Sequence, residues 1–329
     1  KRALITAEFD DADLSQLADM GYLVDHCGWG RTRQALSTAD LVALVPPVSL
    51  LVVEVEQVSA EVIAAAPLLE TIATCRAGPV NVDVAAATRQ RAAVLTTPGR
   101  NADSVADFAV GVLLALCRNI SRAERHLRQD GWMCGSEIPY FHFRGPELQG
   151  KTLGLVGFGA IGRALARRVQ GFDMRVLVAD PYLVAEDVGS LGELLPLHSV
   201  LRQADLLSLH APLTAETRGM IGAAELAMMK PTAYLINTAR APLVDEEALY
   251  GALSTGWLAG AALDVFWEEP HIAPRWLRLD NVLLTPHLGG AADGVRAHHA
   301  AMILQDLRTM ATGGVPRRLV NPEVLNDRD

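Results

Sequence analysis

Three side chains suited to proton and anion chemistry follow short apolar runs in the second half of the chain. Arg240 comes after Ala233–Ile236, Glu269 after Gly260–Leu263 and His287 after Val282–Leu284. If those runs are parallel strands, their carboxyl ends share one edge, where open α/β sheets carry their ligands. A guanidinium holds a carboxylate through two parallel N–H bonds. A neutral imidazole accepts a hydroxyl proton, and a carboxylate on its other nitrogen fixes the tautomer and raises its basicity. This is an inventory for oxidising a 2-hydroxy acid while its hydride leaves for a nicotinamide. Any one of the three alone would mean little. The chain has eight other histidines: His26, His126, His142, His198, His210, His271, His298 and His299.

A site for the nicotinamide carrier is legible upstream. Gly157-Phe158-Gly159-Ala160-Ile161-Gly162 follows the apolar run Thr152–Val156 and opens the helical pattern Ile161–Val169. In that context the first glycine permits a tight turn, the second lets backbone approach a pyrophosphate, and the third lets helix and strand pack closely. The helix start at Ala160 and Ile161 turns free N–H groups and a positive dipole end toward phosphate. Arg163 is placed to add a charged contact. The next apolar run ends at Asp180, where a carboxylate bonds the adenosine ribose and repels a 2′-phosphate. The expected cofactor is therefore NAD rather than NADP.

These residues need a scaffold of strands ending on a common edge. Candidate strands are Ala3–Thr6, Tyr22–Val24, Leu50–Val55, Glu70–Cys75 and Ala93–Thr96, then Thr152–Val156, Met174–Ala179, Leu206–Leu209, Ala233–Ile236, Gly260–Leu263 and Val282–Leu284. Helical patterns alternate with them, including Ala60–Ala66, Val82–Gln90, Ile161–Val169 and Asp245–Leu253. Such alternation predicts an α/β fold of two doubly wound parallel-sheet units. Pro98-Gly99 closes the first series. One long helix is expected from about Ala102 to Arg128, then a loop over Gly131–Gly150. A last helix should run to about Met310 before an extended tail.

Composition bounds the rest. The chain has 329 residues, 50% hydrophobic, with a formal net charge of −9. That suits about two folded domains and argues against a nucleic-acid-coating surface. Cys27, Cys75, Cys117 and Cys134 lack the spacing of a zinc knuckle or a disulfide framework. No metal site is expected. The start is not read as a signal peptide, and the apolar runs are too short or too broken to span a bilayer. The expectation is a soluble, cytoplasmic protein.

The sequence resembles the D-isomer-specific 2-hydroxyacid dehydrogenase family, which includes D-3-phosphoglycerate dehydrogenases and glyoxylate/hydroxypyruvate reductases. The likeness runs from about Ala60 to Pro322. It is carried by Gly150-Lys151-Thr152-Leu153-Gly154 and the glycine loop, Leu209-His210-Ala211-Pro212-Leu213-Thr214 and Met229-Lys230-Pro231. Further on come Asn237-Thr238-Ala239-Arg240, Val244-Asp245, Gly260–Phe266 and Thr285-Pro286-His287-Leu288-Gly289-Gly290. The resemblance implies a flavodoxin-like substrate domain over 1–99 plus 291–329 and a Rossmann NAD-binding domain over 100–290, with a closing cleft between them. It makes Arg240 the substrate arginine, His287 the acid–base and Glu269 its partner. It puts Pro212, Thr217, Thr238, Ala239 and Gly290 along the cofactor and Asp264 at the nicotinamide carboxamide. Arg76, Ala77, Gly78 and Asn101 would meet the substrate, the backbone amides of Ala77 and Gly78 holding its carboxylate.

Two departures stand out. Ala241-Pro242 replaces the usual glycine after the catalytic arginine, and Asp107 replaces a usual Glu. The implied activity is an NAD-dependent D-2-hydroxyacid dehydrogenase acting on a small 2-hydroxy or 2-oxo acid. The alternatives are an NAD-sensing regulator of the C-terminal-binding-protein type, a formate-dehydrogenase-like enzyme and a 3-phosphoglycerate dehydrogenase. Glu54, Glu56 and Gln57 suggest acceptors for the hydroxyls of a sugar acid, whereas Arg76 and Arg100 would suit a phosphate. The family implies a homodimer through the cofactor domain, with Ala102–Arg128 as the candidate interface, and neither nucleic acid nor membrane as partner.

Overall fold

Every expected apolar run folds as a strand, and the strands form two separate parallel sheets. A computed structural model describes residues 1–325. Contacts divide the chain into one unit of Lys1–Asn101 with Ala292–Asp329 and another of Ala102–Ala291.

In the first unit, β1 (Arg2–Ile5), β2 (Leu23–His26), β3 (Leu50–Val53), β4 (Thr71–Thr74) and β5 (Ala93–Leu95) lie in the order β2-β1-β3-β4-β5. This is the flavodoxin-like order. Side chains alternate between two cores, as a pleated strand requires. Leu4, Leu51, Val53, Ile72 and Val94 face one core, and Ala3, Ile5, Leu50, Val52 and Leu95 the other. The helix Gly294–Ala311 returns to cover the second face with Ala300, Ile303, Leu304 and Leu307. The helix over 60–64 starts at the expected residue and that over 84–89 starts two residues later than expected, because capping side chains set both starts. Ser59 caps Ala60–Ala64, and Asp83 caps Val84–Arg89.

In the second unit, β6 (Thr152–Val156), β7 (Arg175–Ala179), β8 (Glu193–Leu194), β9 (Leu206–Leu209), β10 (Tyr234–Asn237), β11 (Gly260–Leu263) and β12 (Val282–Leu284) lie in the order β12-β11-β10-β9-β6-β7-β8. That is the dinucleotide-fold order, with its switch point between β6 and β9. β8 was not legible beforehand, since two residues at a sheet edge carry no period. The expected single helix Ala102–Arg128 is two helices, Ala102–Cys117 and Ile120–Asp130, bent by 59°. Asn119 makes the break at φ 53, a left-handed conformation that Asn tolerates better than most residues. Its side-chain amide donates to the Phe143 carbonyl and its oxygen accepts from Arg122. The expected loop Gly131–Gly150 contains the short helix Pro139–His142. No single helix among the described residues is long and apolar enough to cross a membrane.

The tail after the last helix is fastened to β5. Asn321 is 1% exposed. Its carbonyl accepts from Val94 N–H, and its amide donates to Ala92 O and Thr88 Oγ1, all at 2.8–2.9 Å. Asn321→Ala leaves those buried groups unpaired, at about 1–3 kcal/mol each where no water replaces the side chain. We expect urea denaturation to show a loss of about 2–4 kcal/mol in the stability of the first unit.

Candidate active site

Each glycine of the cofactor loop has a distinct reason to lack a side chain. Gly157 turns at φ +88, and a Cβ there would lie 2.6 Å from Ala211 N and 2.8 Å from the His210 carbonyl carbon. A Cβ on Gly162 would lie 2.5 Å from the Gly157 oxygen, so the helix Ala160–Val169 packs tightly on its own turn. Gly159 borders open space, and no side chain caps the helix it begins. The N–H groups of that first turn are thus left for an anion.

Asp180 follows β7 and curls toward the loop, accepting from Phe158 N at 2.9 Å and Tyr182 N at 3.1 Å. Arg163, expected to add a charged contact beside the loop, is engaged with its neighbours. Its guanidinium lies over the Phe158 ring at 4.8 Å and donates to the Asp187 carbonyl. After β9, the Thr217 hydroxyl donates to Pro212 O at 2.7 Å and pins that turn. After β10, Thr238 is 8% exposed, and its hydroxyl has no partner among the described residues. Such an orphan is expected to meet water or a ligand. With the open face at Gly159, it shows that the residues fit a dinucleotide.

The acid–base pair is formed. His287 Nδ1 lies 2.8 Å from Glu269 Oε2, while Glu269 Oε1 accepts from Phe266 N at 3.0 Å. The His287 Nε2 has no protein partner among the described residues. Burial pushes the Glu269 carboxyl upward, but bonds from His287 and Phe266 and the charges of His287 and Arg240 outweigh it. The net pKa lies below the ordinary glutamate value, so Glu269 is a carboxylate that also feels Arg240. Arg240 is exposed, its guanidinium touching only the neighbouring Ala239 carbonyl at 2.6 Å.

Two buried polar residues hold this pair in place, and their task was not legible in the sequence. Asn237 is fully buried. Its oxygen accepts from Ala239 N and its amide donates to Arg240 O, both at 3.0 Å. Asp264 is 2% exposed and accepts from Thr285 Oγ1, Leu288 N and Gly289 N, each at 2.7 Å. It thereby fastens the loop that carries His287 at φ 57, a strained conformation for a non-glycine residue. Asp264, expected at the nicotinamide carboxamide, is thus first a loop anchor. Gly290 closes the same loop. Ala241 and Pro242 open a short 3₁₀ turn, and neither has a positive φ, so no left-handed backbone demands the glycine they replace.

The first unit holds the other expected residues. Ala77 and Gly78 follow β4, and their amides make no hydrogen bond among the described residues. Gly78 borders open space. Arg76 Nε donates to Glu54 O at 2.6 Å. Asn101 is half-buried at the end of the unit. The sugar-acid expectation for Glu54 and Glu56 fails on their contacts. Glu56 is 1% exposed and accepts from Thr6 Oγ1 and Trp29 N. Glu54 pairs with Arg100 at 3.0 Å, and Arg100 also meets His299 Nδ1. Both oxygens of Glu56 are thus engaged within the protein, and Glu54 and Arg100 are paired with each other. Among the described residues no group of His, Cys, Asp and Glu is arranged to hold a metal ion.

Residues 110–289 match the family model for the NAD-binding domain of D-isomer specific 2-hydroxyacid dehydrogenases. The glyoxylate reductase of Thermococcus litoralis is 42% identical over 273 residues, 82% of each chain. That of Thermofilum pendens is 43% identical over 284 residues, 85% of this chain and 83% of its own. The chain belongs to the D-isomer-specific 2-hydroxyacid dehydrogenase family. It is an NAD-binding-domain oxidoreductase that transfers hydride between a 2-hydroxy acid and a 2-oxo acid. Its fold matches that of an NADPH-dependent glyoxylate/hydroxypyruvate reductase from Sinorhizobium meliloti, with a TM-score of 0.80, 30% identity and 98% of both chains covered. A D-isomer specific 2-hydroxyacid dehydrogenase from Polaromonas sp. matches at TM-score 0.84 and 29% identity, over 97% of this chain and 99% of that one.

Gly157→Ala places a methyl on the backbone of the β9 turn and forces a left-handed alanine. The expected result is loss of NADH binding by at least about tenfold, with the fold retained. Fluorescence titration beside circular dichroism would show it, and unchanged affinity would mean that the loop does not hold the cofactor.

Proposed function

We propose that this dehydrogenase interconverts a small, unphosphorylated 2-oxo acid of the glyoxylate or hydroxypyruvate class with its D-2-hydroxy acid, using NAD(H). The observation that carries the reading is the His287–Glu269 contact at 2.8 Å with the exposed Arg240 acting on the same carboxylate. The glyoxylate reductases named above support the substrate class.

When bound, the nicotinamide supplies or accepts the hydride. In the reductive direction His287, charged, gives a proton from Nε2 to the substrate oxygen, and Glu269 stabilises the imidazolium through Nδ1–H. Arg240 is proposed to hold the substrate carboxylate, and the free amides of Ala77 and Gly78 are proposed as substrate contacts of the first unit. Arg76 and Asn101 are proposed as further substrate contacts. Pro212, Thr217, Thr238, Ala239 and Gly290 are proposed to line the cofactor. Asp264 keeps acceptor capacity on Oδ2 for the carboxamide. The Glu54–Arg100 pair takes up one of the two arginines that a phosphate would use. A homodimer through the NAD-binding unit is proposed on the exposed Ile120, Leu127, Trp132 and Tyr140, and a cytoplasmic setting on the unpaired cysteines.

Loss of a positioned general acid–base group costs roughly 10²–10⁴ in rate. His287→Ala is therefore expected to lose that much kcat on glyoxylate with NADH affinity intact. Arg240→Ala should raise KM as well as lower kcat. Glu269→Gln removes the charge that stabilises the imidazolium, so it should lower the reductive kcat with NADH affinity intact. Near-native turnover in His287→Ala would refute the assignment.

The NAD preference rests on Asp180, whose carboxylate stands at the end of β7 where a 2′-phosphate would meet it. The parent should show higher kcat/KM with NADH than with NADPH. Asp180→Ala should narrow that ratio about tenfold or more. Equal use of both by the parent would remove the argument.

A further inference from the structure

His210 is the one histidine of the second unit whose ring joins a buried partner at the sheet's switch point. It follows β9, its backbone N donates to Val156 O at 2.7 Å, and its carbonyl carbon lies against Gly157. Its Nε2 is 2.9 Å from the hydroxyl of Ser208, which is fully buried on β9. Its Nδ1 is enclosed and has no partner among the described residues.

The tautomer follows from the serine. A buried hydroxyl needs an acceptor for its proton. Among the described residues His210 Nε2 is the only group that the Ser208 hydroxyl bonds. Ser208 therefore donates to Nε2, and a neutral ring must carry its own proton on Nδ1. Burial also pushes the His210 pKa down to about 4, so the ring is neutral at neutral pH. The result is an N–H donor, fixed in direction and without charge, that lacks an acceptor. It sits one strand from Thr238, whose hydroxyl is orphaned in the same way, and against the first glycine of the cofactor loop.

We propose that His210 is a cofactor ligand, its Nδ1–H donating to an acceptor atom of the bound dinucleotide while Ser208 holds the ring in that tautomer. The proposal rests on the dinucleotide site described above and adds to it a residue with a stated atom, tautomer and direction. A neutral donor serves here because it grips the cofactor without a charge that varies with pH.

The test uses the full-length protein and NADH, read by fluorescence titration rather than turnover. Asn places an amide N–H near the position of Nδ1, whereas Gln reaches the position of Nε2. His210→Asn should keep its Kd for NADH within about threefold of the parent, and His210→Gln and His210→Ala should weaken binding about tenfold or more. Native affinity in His210→Ala, or equal losses in Asn and Gln variants, would overturn the contact. The tautomer is read separately, by ¹⁵N NMR of the cofactor-free parent. A protonated Nδ1 that moves on NADH addition is expected, and Ser208→Ala should shift the tautomer toward Nε2–H. A protonated Nε2 in the parent would overturn the proposal even if the substitutions fail to fold. A parent that binds NADPH better fails the cofactor preference alone, and the same series with NADPH then decides the His210 contact.

Discussion

The close approach of Gly157 to the backbone of His210 and Ala211 sets the geometry of the second unit. At that point the end of β6 and the end of β9 diverge, one into the helix Ala160–Val169 and the other into the Pro212–Thr217 turn. A side chain on Gly157 would force them apart. Because it has none, the two strand ends meet closely at the switch point, with uncapped helix N–H groups beside them. The catalytic loops follow β10, β11 and β12, on the same edge of the same sheet. Arg240, Glu269 and His287 thus lie on the edge where the glycine loop also ends.

Buried polar side chains then turn strand ends into a working site. Asp264 gathers three donors and holds His287 in a left-handed backbone conformation. Asn237 ties down Ala239 and Arg240 from beneath. A net hydrogen bond contributes about 0.5–1.5 kcal/mol, and leaving a buried group unpaired costs more. A loop fastened by three such bonds can therefore hold a residue whose backbone strain is of order 1–3 kcal/mol. The reactive groups are left half exposed: His287 48%, Glu269 37%. Rigid support below and accessible chemistry above is the arrangement expected of a preorganised site.

Charge pairing in the first unit shows the opposite use of polar groups. Glu54, Arg100 and His299 satisfy one another near the end of β3, and Glu56 is absorbed by Thr6 and Trp29. Residue types that read as binding groups in the sequence are there structural. The amides of Ala77 and Gly78, invisible to any reading of side chains, make no hydrogen bond among the described residues.

Much was determined by the sequence alone. An unbroken apolar run such as Leu50–Val53 reads as a strand buried on both faces, and the glycine spacing after Thr152–Val156 has one common use. Arg240, Glu269 and His287 were legible because parallel strands put their carboxyl ends on one edge. What the sequence did not determine depends on contacts between residues far apart in the chain. The break at Asn119 depends on Phe143, the duties of Asp264 and Asn237 on loops they do not belong to, and the neutralisation of Arg100 on Glu54 and His299. The donor state of His210 depends on Ser208, two residues away, and on enclosure that only the folded sheet supplies. Local pattern decides which elements form. Which polar groups remain free to act is decided by partners, and partners are a property of the tertiary structure.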